Sequence, residues 1–362
     1  LSCEEAVRDA LERVGRDDGQ YSCFLGLCAD RAVEKAREAD RRLSGLAADE
    51  ARHAFPFLGV PAAVKDNLCL EGVRTTCGSR MLSSYVPPYT ATTVSRLEAL
   101  GAVVIGKLNM DEFAMGASSE TSFLGPVRNP HATDRVAGGS SGGSAAALAA
   151  GFVPLSLGSD TGGSIRQPAA FCGVFGLKPT YGAMSRYGLV AYASSLDQPG
   201  PLARSLRDLS VLFPGLVGRD PRDATSRAPS PPPVPDAPRA GVPEEYLAAS
   251  THPALRAAVS EAVRRLEAAG IPVLPLSLPA TRLCVPAYYI LASAEASSNL
   301  SRFDGVRYGH RSAAGETLAE RCAASRTEGF GLEVRRRILL GTFVLTAGYQ
   351  DQYYGRAQKA RE

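Results

Sequence analysis

Arg135–Ser144 reads R-V-A-G-G-S-S-G-G-S, Ala145–Leu157 reads A-A-A-L-A-A-G-F-V-P-L-S-L, and Gly158–Pro168 reads G-S-D-T-G-G-S-I-R-Q-P. Two Gly/Ser loops thus bracket a run of small residues and an apolar segment. Leu155–Leu157 reads as the end of a strand and Ile165–Ala170 as the start of a helix, so the second loop is a strand-to-helix turn. Its two glycines let the backbone turn tightly and admit a ligand close to its N–H groups. The amides of Thr161, Gly162, Gly163 and Ser164 become candidate donors to an oxyanion, and Ser164 a candidate nucleophile. The other reading of T-G-G-S is a turn that binds an anion or joins two elements. The first loop, around Ser140, runs directly into the small-residue stretch Ser144–Ala150. That composition suits close helix packing better than a flexible Gly/Ser linker.

A serine nucleophile needs a base. The chain has four histidines, His53, His131, His252 and His310, and none lies in a Ser-His-Asp-like pattern. Lys65 in A-V-K-D-N ends the apolar run G-V-P-A-A-V. A lysine serves as base only when neutral, which requires its pKa to fall from about 10.4 by roughly two to three units, through burial or nearby positive charge. Ser140 is then the candidate proton relay between Lys65 and Ser164. The competing reading is a strand-end lysine in water, the usual fate of lysine.

Working outward, the pattern is α/β. Phe57–Val64 reads as a broken core strand that delivers Lys65. A helix over Thr92–Leu100 stops at Gly101 and precedes a strand, Ala102–Ile105; a helix over Leu255–Ala269 stops at Gly270 and precedes a strand, Ile271–Leu274. The two units echo each other, L-E-A-L-G-A-V-V-I against L-E-A-A-G-I-P-V-L. They predict a mixed, largely parallel sheet with helices on both faces. Residues 1–50 read as a helical segment, with Ser2 and Glu5 as a capping box and a second helix over Arg31–Leu43 that Asp30 would cap. Residues 226–241 are proline-rich and predict a solvated surface connection.

Composition excludes several classes. The net charge of +3 is too small to argue a nucleic-acid surface by itself. Eight cysteines include no C-x-x-C pair, so neither a zinc site nor a redox motif is expected. No window approaches the roughly 18 apolar residues of a membrane span, and the first residues lack an apolar signal core. Reduced, mostly buried cysteines fit a cytoplasmic protein.

V-K-D-N, G-G-S-S-G-G-S and G-S-D-T-G-G-S-I-R-Q-P-A resemble the amidase signature family in type, order and spacing. The resemblance implies a large mixed β-sheet core covered by helices on both faces. It also implies a Ser–cis-Ser–Lys triad: Ser164 as nucleophile, Ser140 as relay in a cis peptide bond, and Lys65 as base. Four more segments, Gly106–Gly116, Lys178–Gln198, Glu295–Gly309 and Arg336–Phe343, are similar to the family's glutaminase subunits of tRNA-dependent amidotransferases. By that resemblance the substrate is glutamine, Arg337 meets its α-carboxylate, and Tyr288 lines the pocket. Ammonia would pass through a tunnel to a partner that uses ATP and Mg²⁺ to amidate glutamyl-tRNA(Gln), or aspartyl-tRNA(Asn). The B and C subunits of such an amidotransferase would complete a heterotrimer, tRNA would be reached through the complex, and this chain would hold no cofactor or metal. The other reading of Arg337 is one of three arginines in a row on a surface helix. Asp160 and Arg166 are expected to bridge each other in a structural role, and Asp197 is read as structural. Residues 1–362 are expected to form a single amidase domain, incomplete at its C-terminal end relative to the family. A stand-alone amidase acting on another amide, or an inactive scaffold subunit, are the other functions open at this point.

Overall fold

Four strands whose residues are all buried set the architecture: β2 (Pro61–Lys65), β3 (Val103–Leu108), β6 (Leu155–Asp160) and β8 (Gln198–Ala203). Burial along a whole strand requires cover on both faces. In the computed structural model, which describes residues 1–45, 54–228, 230, 237–247 and 251–362, β1 (Phe24–Leu27) and β7 (Phe175–Gly176) join them in a six-stranded sheet ordered β1-β3-β2-β6-β8-β7. A ribbon of β4 (Arg128–Asn129) and β5 (Ala132–Val136) stands apart. β2 runs parallel to both β3 and β6, whereas β1–β3, β6–β8 and β7–β8 are antiparallel. The sheet is mixed, as expected, but parallel pairing is confined to its three central strands, which corrects the expectation of a largely parallel sheet. Parallel neighbours need crossover connections. Here α3 (Thr92–Ala99) and α4 (Gly142–Ala149) supply them, while β6 is followed only by the six-residue α5 (Arg166–Phe171), and its later neighbour β8 returns antiparallel.

Alternation along the strands divides the core. On one face α1 (Cys3–Asp17), α2 (Ala29–Ser44) and α4 bury Val7, Val14, Ala36 and Ala145–Leu148 against Ala63 and Ile105. On the other, α3 and α6 (Leu206–Leu216) bury Val94, Leu97, Leu209 and Leu212 against Ala62, Val64 and Val104. Each large apolar side chain so buried contributes about 1.5–3 kcal/mol. The small residues of α4 let that helix lie close to the strands.

The Ser2–Glu5 capping box forms at the start of α1. Cys28, and not Asp30, is the N-cap of α2. The chain leaves β1 at Leu27 and turns at once, with Cys28 N–H donating to the Ile105 carbonyl at 2.9 Å. Asp30 falls inside the first turn, where its charge still favours the helix N-terminus.

Two compact units are present: Leu1–Pro229 with Ala292–Leu345, and Ser230–Leu291 with Thr346–Glu362. The second unit contains β9 (Ala240–Pro243) and β10 (Val273–Leu276) as a parallel pair, with α7 (Pro253–Ala268) between them in sequence. The strand expected near Ile271–Leu274 therefore belongs to this pair and not to the main sheet. α8 (Thr281–Asn299) begins in the second unit and ends in the first, which also contains α9 (Leu318–Gly329) and α10 (Leu332–Val344); α11 (Arg356–Arg361) lies in the second. Of the proline-rich stretch, residues 229 and 231–236 lie outside the described residues, and its last two, Ala240 and Gly241, begin β9. Residues 46–50 of the N-terminal segment also lie outside them. No helix among the described residues is long and apolar enough to cross a membrane.

Candidate active site

Strand parity places the candidate base. Ala63 faces α4, so Lys65, two residues on in β2, turns the same way. Its side chain is 0 % exposed. The amine Nζ lies 2.8 Å from Ser140 Oγ, 2.9 Å from Ser159 Oγ and 3.4 Å from the Ser159 carbonyl. Asn67 Nδ2 also donates to Ser159 Oγ, at 2.9 Å. Hydroxyls and a carbonyl, rather than a carboxylate, are thus the partners of this amine. Burial pushes its pKa down to about 7, against the opposing charges of Asp111, Asp160 and Asp197. A neutral amine is therefore accessible near neutral pH.

Ser140 sits in the loop that opens α4, and the Gly139–Ser140 peptide bond is cis. Its carbonyl accepts from the Asp111 N–H at 3.2 Å and from Ser119 Oγ at 3.5 Å. The next residue joins the two Gly/Ser loops: Ser141 N–H donates to the Ser164 carbonyl at 3.1 Å, and Ser141 Oγ to the Ser159 carbonyl at 3.0 Å.

The loop that carries Ser164, the candidate nucleophile, closes around Asp160, the last residue of β6. Its buried carboxylate accepts N–H groups from Gly163 at 2.7 Å and Ile165 at 3.0 Å, and both Nε and Nη2 of Arg166 at 3.0 Å. The expected bridge between Asp160 and Arg166 is therefore present. Burial pushes this carboxyl up, but the Arg166 bridge and the backbone donors outweigh it and hold the group below its usual range. The Gly163 amide is taken by Asp160. The amides of Thr161 and Gly162 donate to no protein group among the described residues.

Thr161 leads to the second half of the site. Its Oγ1 donates to Asp197 Oδ1 at 2.6 Å. Asp197 Oδ2 accepts the N–H groups of Tyr192 at 2.8 Å and Ala193 at 2.9 Å. Burial raises the Asp197 carboxyl to about 6, opposed by those three hydrogen bonds. The buried Tyr192 hydroxyl accepts from Arg337 Nη1 at 2.7 Å, and Arg337 Nε donates to Glu333 on the same helix, α10, at 2.8 Å. Arg337 is buried while Arg336 is exposed, so the surface-helix reading of Arg337 does not hold. A continuous path, Thr161–Asp197–Tyr192–Arg337, connects the nucleophile loop to a buried guanidinium.

Lys65, Ser140, Thr161–Ser164 and Arg337 all lie in the first unit. Tyr288 lies in the second, on the part of α8 that belongs there, with its ring 5.5 Å from that of Tyr289 at 77°. Sequence reasoning missed Ser159 and Asn67, and it gave Asp197 no link to the site. The available signal for Ser159 was a hydroxyl at the end of an apolar strand, just before D-T-G-G-S. Among the described residues no three His, Cys, Asp or Glu side chains gather as metal ligands.

A profile of the Amidase family matches residues 5–362. The A subunit of the glutamyl-tRNA(Gln) amidotransferase of Symbiobacterium thermophilum is 52 % identical over 368 residues, covering 100 % of this chain and 75 % of the relative. Among solved structures, the A subunit of the glutamyl-tRNA(Gln) amidotransferase from Thermotoga maritima superposes with a TM-score of 0.76 at 39 % identity, covering 99 % of this chain and 71 % of that one. The peptide amidase of Stenotrophomonas maltophilia gives a TM-score of 0.80 at 30 % identity, covering 99 % and 75 %.

Proposed function

The chain belongs to the amidase signature family, and from that premise we propose that it is the glutaminase subunit of a Glu-tRNA(Gln) amidotransferase. The observation that carries the chemistry is the buried Lys65 amine, 2.8 Å from Ser140 Oγ and, among the described residues, without a carboxylate partner. The relatives named as A subunits of a glutamyl-tRNA(Gln) amidotransferase support the assignment to such a complex.

In this reading Ser164 Oγ attacks the side-chain amide carbon of glutamine, and its proton passes through Ser140 to neutral Lys65. The amides of Thr161 and Gly162 meet the charge that develops on the carbonyl oxygen, with Gly163 held by Asp160 to shape the turn. One such donor is worth about 10²–10³ in rate. The C–N bond breaks as the relay returns the proton to the leaving nitrogen. Ammonia departs and a γ-glutamyl ester remains on Ser164. Water then loses a proton to the same relay and adds to the ester; the carbon–Oγ bond breaks, Ser164 regains its proton and glutamate leaves. The loop is already held by Asp160 and Asp197, so little reorganisation is needed in the transition state. Arg337 holds the α-carboxylate of glutamine.

Ammonia is delivered to a partner subunit, where ATP and Mg²⁺ activate the glutamyl group on tRNA, or the aspartyl group of Asp-tRNA(Asn). The B and C subunits complete a cytoplasmic heterotrimer, and tRNA is reached through it. The likeness to a peptide amidase favours one other reading, hydrolysis of a different amide by the same triad.

Ammonia and glutamate release from glutamine, measured with and without candidate B and C subunits, decides between them. Release that vanishes in Ser164→Ala supports the glutaminase reading. A folded protein that spares glutamine but hydrolyses another amide establishes the alternative.

A further inference from the structure

Glu112 follows Asp111 in M-D-E-F, on a buried turn after β3, and no step above uses it. This dipeptide faces two parts of the site. Asp111 reaches the relay loop: its N–H donates to the Ser140 carbonyl at 3.2 Å, and its carboxylate accepts from Ser119 N–H at 2.9 Å and Thr121 Oγ1 at 3.0 Å. Ser119 Oγ in turn accepts the Gly142 N–H at 3.0 Å, at the start of α4.

Glu112 reaches the other way. Its side chain is 2 % exposed, and its two carboxylate oxygens accept the Gly331 N–H at 3.1 and 2.9 Å, while Ser79 Oγ donates to it as well. Gly331 is the N-cap residue of α10, whose second turn carries Arg337. A carboxylate suits that position, because the first N–H groups of a helix lack internal partners and carry partial positive charge. The fit is close: a Cβ on Gly331 would stand 2.3 Å from Glu112 Oε2. The next residue braces the same joint. Phe113 packs against Phe303 and Phe330, with ring centroids 5.4 and 5.6 Å away, and Phe330 immediately precedes the cap. Phe113 and Ala114 have φ of +49° and +62°, a conformation that persists in such residues where surroundings enforce it.

We propose that Glu112 is a positioning residue for the substrate: it anchors the start of α10 against the turn that holds the Ser140 loop, and so sets where Arg337 stands relative to Ser164. This rests on the reading of Arg337 as the partner of the substrate α-carboxylate. Displacing Glu112 then weakens the grip on glutamine and leaves the chemistry of the serine alone. Misplacement by an ångström is enough to be felt in such an arrangement.

The test uses the full chain under the conditions in which it hydrolyses glutamine, with two variants. Glu112→Gln removes the charge and keeps the shape. Gly331→Ala, at φ −68°, suits an alanine backbone, removes no polar group and pushes the carboxylate off the cap. Each is expected to raise KM for glutamine about tenfold while kcat stays within about threefold. Labelling of Ser164 by a fluorophosphonate that lacks a carboxylate is expected to stay within about twofold. Added to Arg337→Ala, either variant gives no further rise in KM, because the two changes act through one contact. An unchanged KM in a folded variant overturns the proposal. So does a parallel fall of kcat, labelling and melting temperature in both variants, the mark of a merely structural role, and so does an effect additive with Arg337→Ala. If Arg337→Ala itself leaves KM unchanged, the reading of Arg337 fails and takes this inference with it, while labelling of Ser164 still reports the nucleophile separately.

Discussion

Lys65 and Lys107 lie at the ends of neighbouring parallel strands, the last residue of β2 and the last but one of β3, and the sheet turns them to opposite faces. Lys65 pairs across from Leu108, which lies in the core under α1 and α4; Lys107 pairs across from Val64, in the core under α3 and α6. Both are buried, at 0 % and 2 % exposure. Lys107 meets a carboxylate, with Nζ 3.0 Å from Asp66 Oδ1, and also donates to Thr75 Oγ1 at 2.7 Å. Lys65 meets hydroxyls. A buried ammonium needs a paired anion. Where none stands beside it, the amine moves toward its neutral form, and the pKa of Lys65 falls to about 7, chiefly through burial. Burial alone therefore does not mark a catalytic lysine. A missing counter-ion next to a hydroxyl relay does.

The largest expected effect separates the two directly. Lys65→Ala should lower glutamine hydrolysis by about 10³-fold in a protein that still folds. Lys107→Met should leave the activity of each folded molecule nearly intact, and the reverse result in steady-state assays would break the comparison. Next comes stability. Lys107→Met leaves Asp66 buried and unpaired and should cost about 3–5 kcal/mol in denaturant unfolding. Adding Asp66→Asn should recover much of that loss, whereas no partner change should rescue Lys65→Ala. Third is pH. Protonation below about 7 occupies the lone pair of Lys65, so kcat/KM should fall about tenfold per unit below that point and level off above it. A profile flat down to pH 5 would mean that Lys65 is not the base. The smallest effect belongs to Ser159→Ala, which removes one hydroxyl shared by Lys65 and Asn67. About 1 kcal/mol, or roughly fivefold in kcat, is expected for one such hydrogen bond.

The two helix–glycine–strand units show what the sequence could and could not tell. Both fold as read, with Gly101 and Gly270 turning at φ +94° and +79°. The first buries Val94 and Leu97 and every residue of β3; among the described residues α7 of the second has no buried side chain and β10 pairs only with β9. Periodicity reports the local element. It does not report which strands lie alongside or in which direction, and so the extent of parallel pairing was misjudged. The triad candidates Lys65, Ser140 and Ser164 could be named because each sits in a short motif. Glu112 could not, because its meaning depends on Gly331, 219 residues away. Asp197 reads as structural in the sequence, and only its contact with Thr161 ties it to the loop that carries Ser164.

The ring that Asp160 closes holds Ser164 in place largely through backbone N–H groups and its neighbour Arg166. Side chains elsewhere in the pocket can therefore change without disturbing the reactive serine. Lys65 comes from β2 and Ser164 from the loop after β6, while the guanidinium of Arg337 comes from a helix much later in the chain. A lineage built this way can exchange its grip on one amide for a grip on another by mutating late residues, and inherit the reaction unaltered.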